Sequence, residues 1–165
     1  MDLLVDSGAW ARWGGSALRC AVGRAGIATD KREGDGATPA GAFALREVLY
    51  RPDRGAPPVT SLKLRPLDPA DGWCDAPGDV NYNQKVRLPY RASAETLWRA
   101  DGVYDLIVVL GYNDAPVIAG RGSAIFLHVA QPDFAPTEGC IALGRGDLLR
   151  VLKEADATSR IIVTA

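Results

Sequence analysis

The sequence predicts a mainly β fold with a few short helices, and three features carry that reading. Its apolar runs are short and bounded by turn residues such as Ser7-Gly8 and Gly14-Gly15. Several of them alternate with period two, as half-buried strands do. Helical spacing surfaces in only two places, near residues 93–99 and 147–155.

Taken in order, Leu3–Val5, Ala9–Trp13 and Ala17–Val22 read as the strands of an opening meander. Residues 23–37, GRAGIATDKREGDGA, are glycine-rich and charged and read as a solvated loop. They lack the G-x-x-x-x-G-K-[ST] spacing that cradles a nucleotide phosphate. In TPAGAF, residues 38–43, Pro39 fixes one backbone dihedral and Gly41 relaxes another. That suits a tight turn feeding a strand over Ala42–Tyr50.

Residues 51–80 hold more than half of the 11 prolines and show no periodicity, which makes them a candidate binding loop or lid. Near its end, Trp73, Asp75, Tyr82 and Asn83 place aromatic surface, a carboxylate and amides close together. They suit the wall of a cleft, and equally the packing of a loop. Ser93–Arg99 reads as a short helix capped by Ser93, with Leu97 and Trp98 inward. Tyr104–Leu110, rich in Val and Ile, reads as a central strand.

Ala124–Ala130 alternates, with Ile125, Leu127 and Val129 on one face and Ala124, Phe126, His128 and Ala130 on the other. A loop with Pro132 and Pro136 follows, and Cys140–Leu143 is a second apolar run. Asp147 is placed to cap a helix through about Ala155, and Ile161–Thr164 reads as a closing strand.

Length and charge exclude several classes. At 165 residues the chain suits one domain, and 47% hydrophobic with 24% charged residues is ordinary for a globular protein. Nineteen basic against twenty acidic residues, with no basic stripe, argue against a nucleic-acid partner. Cys20, Cys74 and Cys140 are too few for a disulfide framework. With one histidine and no C-x-x-C, no metal site or cofactor is expected. Asp2, Asp6 and Arg12 interrupt the first apolar runs, so neither a secretory signal nor a membrane span is read. The expected location is cytoplasmic, or periplasmic if an upstream signal has been removed.

The candidate chemistry lies in GSAIFLHVAQPDFAPTEGCIAL, residues 122–143. His128 is on a strand, and Cys140 opens the next apolar run behind Gly139. A loop folding back would face the thiol toward the imidazole, with backbone N–H groups nearby, as a thiol nucleophile requires. Spacing alone favours a buried core histidine and a small apolar cysteine.

Two separated motifs resemble one family. TPAGAF resembles the T-P-x-G-x-F turn of the L,D-transpeptidase (YkuD) catalytic domain, and FLHVA with TEGCIAL resembles its histidine strand and [S/T]-H-G-C nucleophile loop. The resemblance implies a β-sandwich and cysteine acyl transfer on peptidoglycan stem tetrapeptides, at the bond between diaminopimelate and terminal D-alanine. It implies Cys140 as nucleophile, His128 as base oriented by a neighbouring backbone carbonyl, the Gly139 and Cys140 backbone as oxyanion donors, and Thr137 beside the substrate. Asp75 would meet the diaminopimelate ammonium, with Trp73, Tyr82 and Asn83 along the peptide.

Two positions depart from the family pattern. Glu138 replaces the second histidine, and its carboxylate is expected to raise the thiol pKa. Ala142 replaces an arginine, which leaves Arg87, Arg121 or Arg145 to meet a substrate carboxylate. The expected activity is an L,D-carboxypeptidase releasing D-alanine from soluble muropeptides during wall recycling. The alternatives are an exported transpeptidase and a muropeptide-binding module without turnover.

Overall fold

The computed structural model describes residues 1–165. The meander forms as β1 (Leu3–Val5), β2 (Trp10–Trp13) and β3 (Ser16–Ala21). Two short strands, β4 (Ile27–Ala28) and β5 (Thr38–Pro39), pair in parallel across the glycine-rich loop. β6 (Gly41–Tyr50) is the longest strand and turns a corner of the fold. Its first residues, Gly41–Ala44, pair with β14 (Arg160–Val163), and Leu45–Tyr50 pair with β11 (Leu106–Leu110).

Next to β11 lie β12 (Phe126–Val129) and then β13 (Ile141–Leu143), which pairs with β3. Because β1 also pairs with β14, the strand order returns to its start and the large sheet closes on itself. β7 (Leu64–Pro66) is appended to β6. A separate small sheet holds β8 (Asp71–Cys74) between β9 (Lys85–Arg87) and β10 (Ala94–Thr96). The helix α1 (Arg145–Glu154) buries Leu148, Val151 and Leu152 in the main core.

β11 explains its own sequence. Leu106, Val108 and Leu110 face the main core, whereas Ile107 and Val109 face a second cluster beneath the small sheet. A strand buried on both faces needs apolar side chains at every position. β12 divides the same way: Leu127 joins the main core and Phe126 the second cluster.

Three local expectations change. Residues 94–96 are a strand, with Glu95 opposite Trp73, because sheet pairing outweighs the costly nucleation of a two-turn helix. The proline-rich stretch carries β7 and β8 rather than being irregular throughout. Gly144, not Asp147, occupies the helix N-cap, and Asp147 lies in the first turn, where its charge suits the dipole.

Candidate active site

β12 and β13 run in parallel with His128 opposite Ala142, so Cys140, just ahead of β13, falls beside Phe126. The Phe126 N–H donates to Cys140 Sγ at 3.4 Å, and the thiol donates to the Ala124 carbonyl at 3.2 Å. Ala124 holds a left-handed φ of 53°, and its N–H donates to Asn83 Oδ1 at 3.0 Å. The left-handed backbone at that residue thus aims its carbonyl toward the thiol and its N–H toward the scaffold.

His128 is 7% exposed, and its Nδ1 sits 2.9 Å from the Val129 carbonyl oxygen. A carbonyl only accepts, so Nδ1 carries the proton and Nε2 is the basic nitrogen. The Tyr104 ring meets the imidazole edge-on at 5.2 Å between centroids. His128 and Cys140 line the same cleft of about 400 Å³. In this resting arrangement the thiol bonds to the strand backbone rather than to the imidazole.

Burial pushes the Cys140 thiol up to about 12, with the Glu95 carboxylate adding to it. The Phe126 N–H, the Tyr104 hydroxyl and the Lys31 charge act in the opposite direction. Burial likewise lowers His128 to about 4 against the pull of its backbone hydrogen bond. Both groups are therefore neutral at pH 7. The site suits a base that takes a proton during attack rather than a preformed thiolate–imidazolium pair.

Two threonines fasten the nucleophile loop. Thr137 Oγ1 donates to the Cys140 carbonyl at 2.6 Å and accepts the Gly139 N–H at 3.1 Å. Thr38, fully buried in the TPAGAF turn, donates to the same carbonyl at 3.3 Å and accepts the Gly23 N–H at 2.8 Å. Gly139 adopts φ 141°, and a Cβ there would lie 2.9 Å from the Ala37 carbonyl oxygen, so no larger residue fits. The expected oxyanion donor at Gly139 is already bonded to Thr137, whereas the Cys140 N–H has no acceptor within the chain.

The expected substrate residues separate. Asp75 and Thr137 line the cleft, and Asp75 Oδ1 is enclosed without a hydrogen-bond partner. Trp73, Tyr82 and Asn83 stand behind the wall. The Trp73 ring packs on Phe126 at 5.0 Å, and its indole N–H donates to Asn83 Oδ1 at 2.9 Å. Asn83 also donates to the carbonyls of Tyr112 and Asn113, which fills all four of its bonding positions. Tyr82 donates to Glu33 at 2.8 Å and accepts the Gly122 N–H. These three residues pin the small sheet to β12 and to the segment leading into it.

The charges differ from expectation as well. Glu138 is an exposed rim residue, paired with Arg24 at 2.9 Å, and the carboxylate that acts on the thiol is Glu95. Arg87 pairs with Asp68, Arg121 with Asp30 and Arg145 with Asp105, and none of the three arginines lines the cleft. The cations that do are Lys31 and Arg99. Lys31 and Glu33 come from the loop that reads as solvated, and Glu95 from the stretch that reads as a helix. The one clue in sequence was the density of charge immediately ahead of the TPAGAF turn.

The family model YkuD, the L,D-transpeptidase catalytic domain, matches residues 5–163. Among solved structures, an L,D-transpeptidase from Mycobacterium smegmatis aligns over 99% of this chain and 58% of its own, at 14% identity and a TM-score of 0.44. The chain thus spans less than two thirds of that protein. No curated protein sequence matches.

Proposed function

Because the chain belongs to the YkuD family of L,D-transpeptidase catalytic domains, we propose that it is a cysteine acyl-transfer enzyme of peptidoglycan stem tetrapeptides. Within that chemistry we read it as an L,D-carboxypeptidase. The observation that carries the acyl-transfer reading is the joint placement of a neutral, oriented imidazole and a thiol in one cleft.

The Cys140 side chain turns from the Ala124 carbonyl, its proton passes to His128 Nε2, and sulfur attacks the diaminopimelate carbonyl. The Cys140 N–H stabilises the oxyanion, a contribution of about 3 kcal/mol for one donor. The imidazolium then protonates the D-alanine nitrogen as the C–N bond breaks. Water, deprotonated by the same imidazole, cleaves the thioester and releases the tripeptide. Asp75 meets the diaminopimelate ammonium, which supplies the partner its enclosed oxygen lacks.

Water is the acceptor in this reading, and the cleft of about 400 Å³ holds the donor stem peptide. Its natural substrates are then soluble muropeptide fragments met in the cytoplasm. Purified protein given a soluble tetrapeptide muropeptide should release D-alanine, and a carbapenem should leave a mass adduct on Cys140. Cross-linked dimers or D-amino-acid exchange would instead mark a transpeptidase.

A second reading, a muropeptide-binding module without turnover, draws on the thiol's two backbone bonds and its high pKa. Tight binding with neither D-alanine release nor adduct would select it.

A further inference from the structure

The cleft beside Cys140 is short of positive charge. Glu33, Asp75, Glu95 and Glu138 line it against two cations, Lys31 and Arg99. A stem peptide brings its terminal carboxylate within a few bonds of the carbonyl under attack, and that charge needs a partner when it leaves water. Arg99 is committed elsewhere. Its guanidinium holds both carboxylate oxygens of Asp101 and lies 5.2 Å over the Tyr104 ring.

Lys31 is built differently. It is 5% exposed, and its stem runs over Gly122, where a Cβ would come within 3.2 Å of Lys31 Cε. Its ammonium donates to the Arg32 carbonyl at 2.7 Å and to Asp35 at 2.5 Å. An ammonium has three protons, so one has no acceptor within the chain. Asp35 divides its charge, because it also accepts the N–H groups of Arg32 and Ala37. The Lys31 charge also favours the thiolate at Cys140, so it is felt where the reaction occurs.

We propose that Lys31 receives the terminal carboxylate of the substrate and so restricts the enzyme to peptides ending in a free D-amino acid. The assignment rests on the acyl-transfer reading above. It also explains why a buried cation sits in a loop otherwise given over to turns.

The test compares the stem tetrapeptide with the same peptide ending in a carboxamide, on the full chain. The wild type should turn over the acid about tenfold better in kcat/KM, as expected for one charged hydrogen bond. Lys31→Met should lose about tenfold more on the acid than on the amide, with the excess chiefly in KM. Lys31→Arg should keep part of the preference. Equal turnover of both peptides by the wild type would overturn the assignment, and that reading needs no variant to fold. Equal losses on both peptides in Lys31→Met would make the residue structural. Loss of the preference in Arg99→Gln but not in Lys31→Met would move the carboxylate to Arg99. If the wild type cleaves neither peptide and forms no acyl-enzyme, the reaction itself falls, and this assignment with it.

Discussion

The Thr38 hydroxyl lies 3.3 Å from the carbonyl oxygen of Cys140, a residue 102 positions away. The turn motif and the nucleophile loop are therefore one assembly, in which Thr38 and Thr137 share a single carbonyl from two sides. A nucleophile held this way keeps its backbone N–H free for other work.

Thr38→Val keeps the shape and deletes the hydroxyl, which orphans the buried Gly23 N–H. Stability should fall by about 1–3 kcal/mol in a urea melt. Turnover should drop about tenfold in kcat with KM little changed, since a small shift of the nucleophile is costly. Thr38→Ser should recover most of both, and wild-type kcat in Thr38→Val would separate the turn from the chemistry.

Cys140→Ser should abolish D-alanine release while the melting temperature stays close to wild type. The serine hydroxyl can donate to the Ala124 carbonyl in place of the thiol, but it is far less acidic and the imidazole cannot activate it. Measurable release by this variant would remove Cys140 as nucleophile.

His128 is the only histidine, so its imidazole resonances need no assignment. Their titration midpoint should fall near pH 4 rather than the usual 6.5. Between those values the unfolded chain binds the extra proton, so stability rises with pH across the window. Acidifying through it should remove on the order of 3 kcal/mol. Glu95 works against this, since burial raises its carboxyl and its contribution is lost as pH rises through that raised value. A midpoint above 6 would mean the imidazole is solvated.

Asn83 and Asp75 should behave oppositely. Asn83→Ala leaves the Ala124 N–H, the Trp73 indole N–H and two carbonyls without their partner, and stability should drop by about 3 kcal/mol or more. Asp75→Ala removes an enclosed oxygen that has no partner, so the fold should be unharmed while KM rises several-fold. A KM effect at Asn83 without a stability loss would reverse the two roles.

The fold was legible where patterning is local. The alternation over 124–130 separates the core face of β12 from the face carrying His128, and the Val/Ile-rich run marks the strand buried on both sides. The site was legible only where a motif carried it. Glu95 is invisible because SAETLW has helical propensity, and only its pairing with β8 makes it a strand. Lys31 is invisible because charge beside glycine ordinarily means solvent, and its burial depends on Gly122, ninety-odd residues on. Trp73, Tyr82 and Asn83 have the composition of a binding wall, yet sequence cannot show that their polar atoms are spent on each other, on Glu33 and on neighbouring backbone.

β14 pairs with β1 on one side and β6 on the other, so this strand completes the closed sheet. While the ribosome still holds residues 160–165, Leu3, Val5 and Phe43 lack their neighbour and two strand edges stand open. The strands on either side must therefore wait, prone to aggregate, until residues 160–163 emerge. Deleting residues 160–163 should send the protein to inclusion bodies, although the cleft lies among other strands.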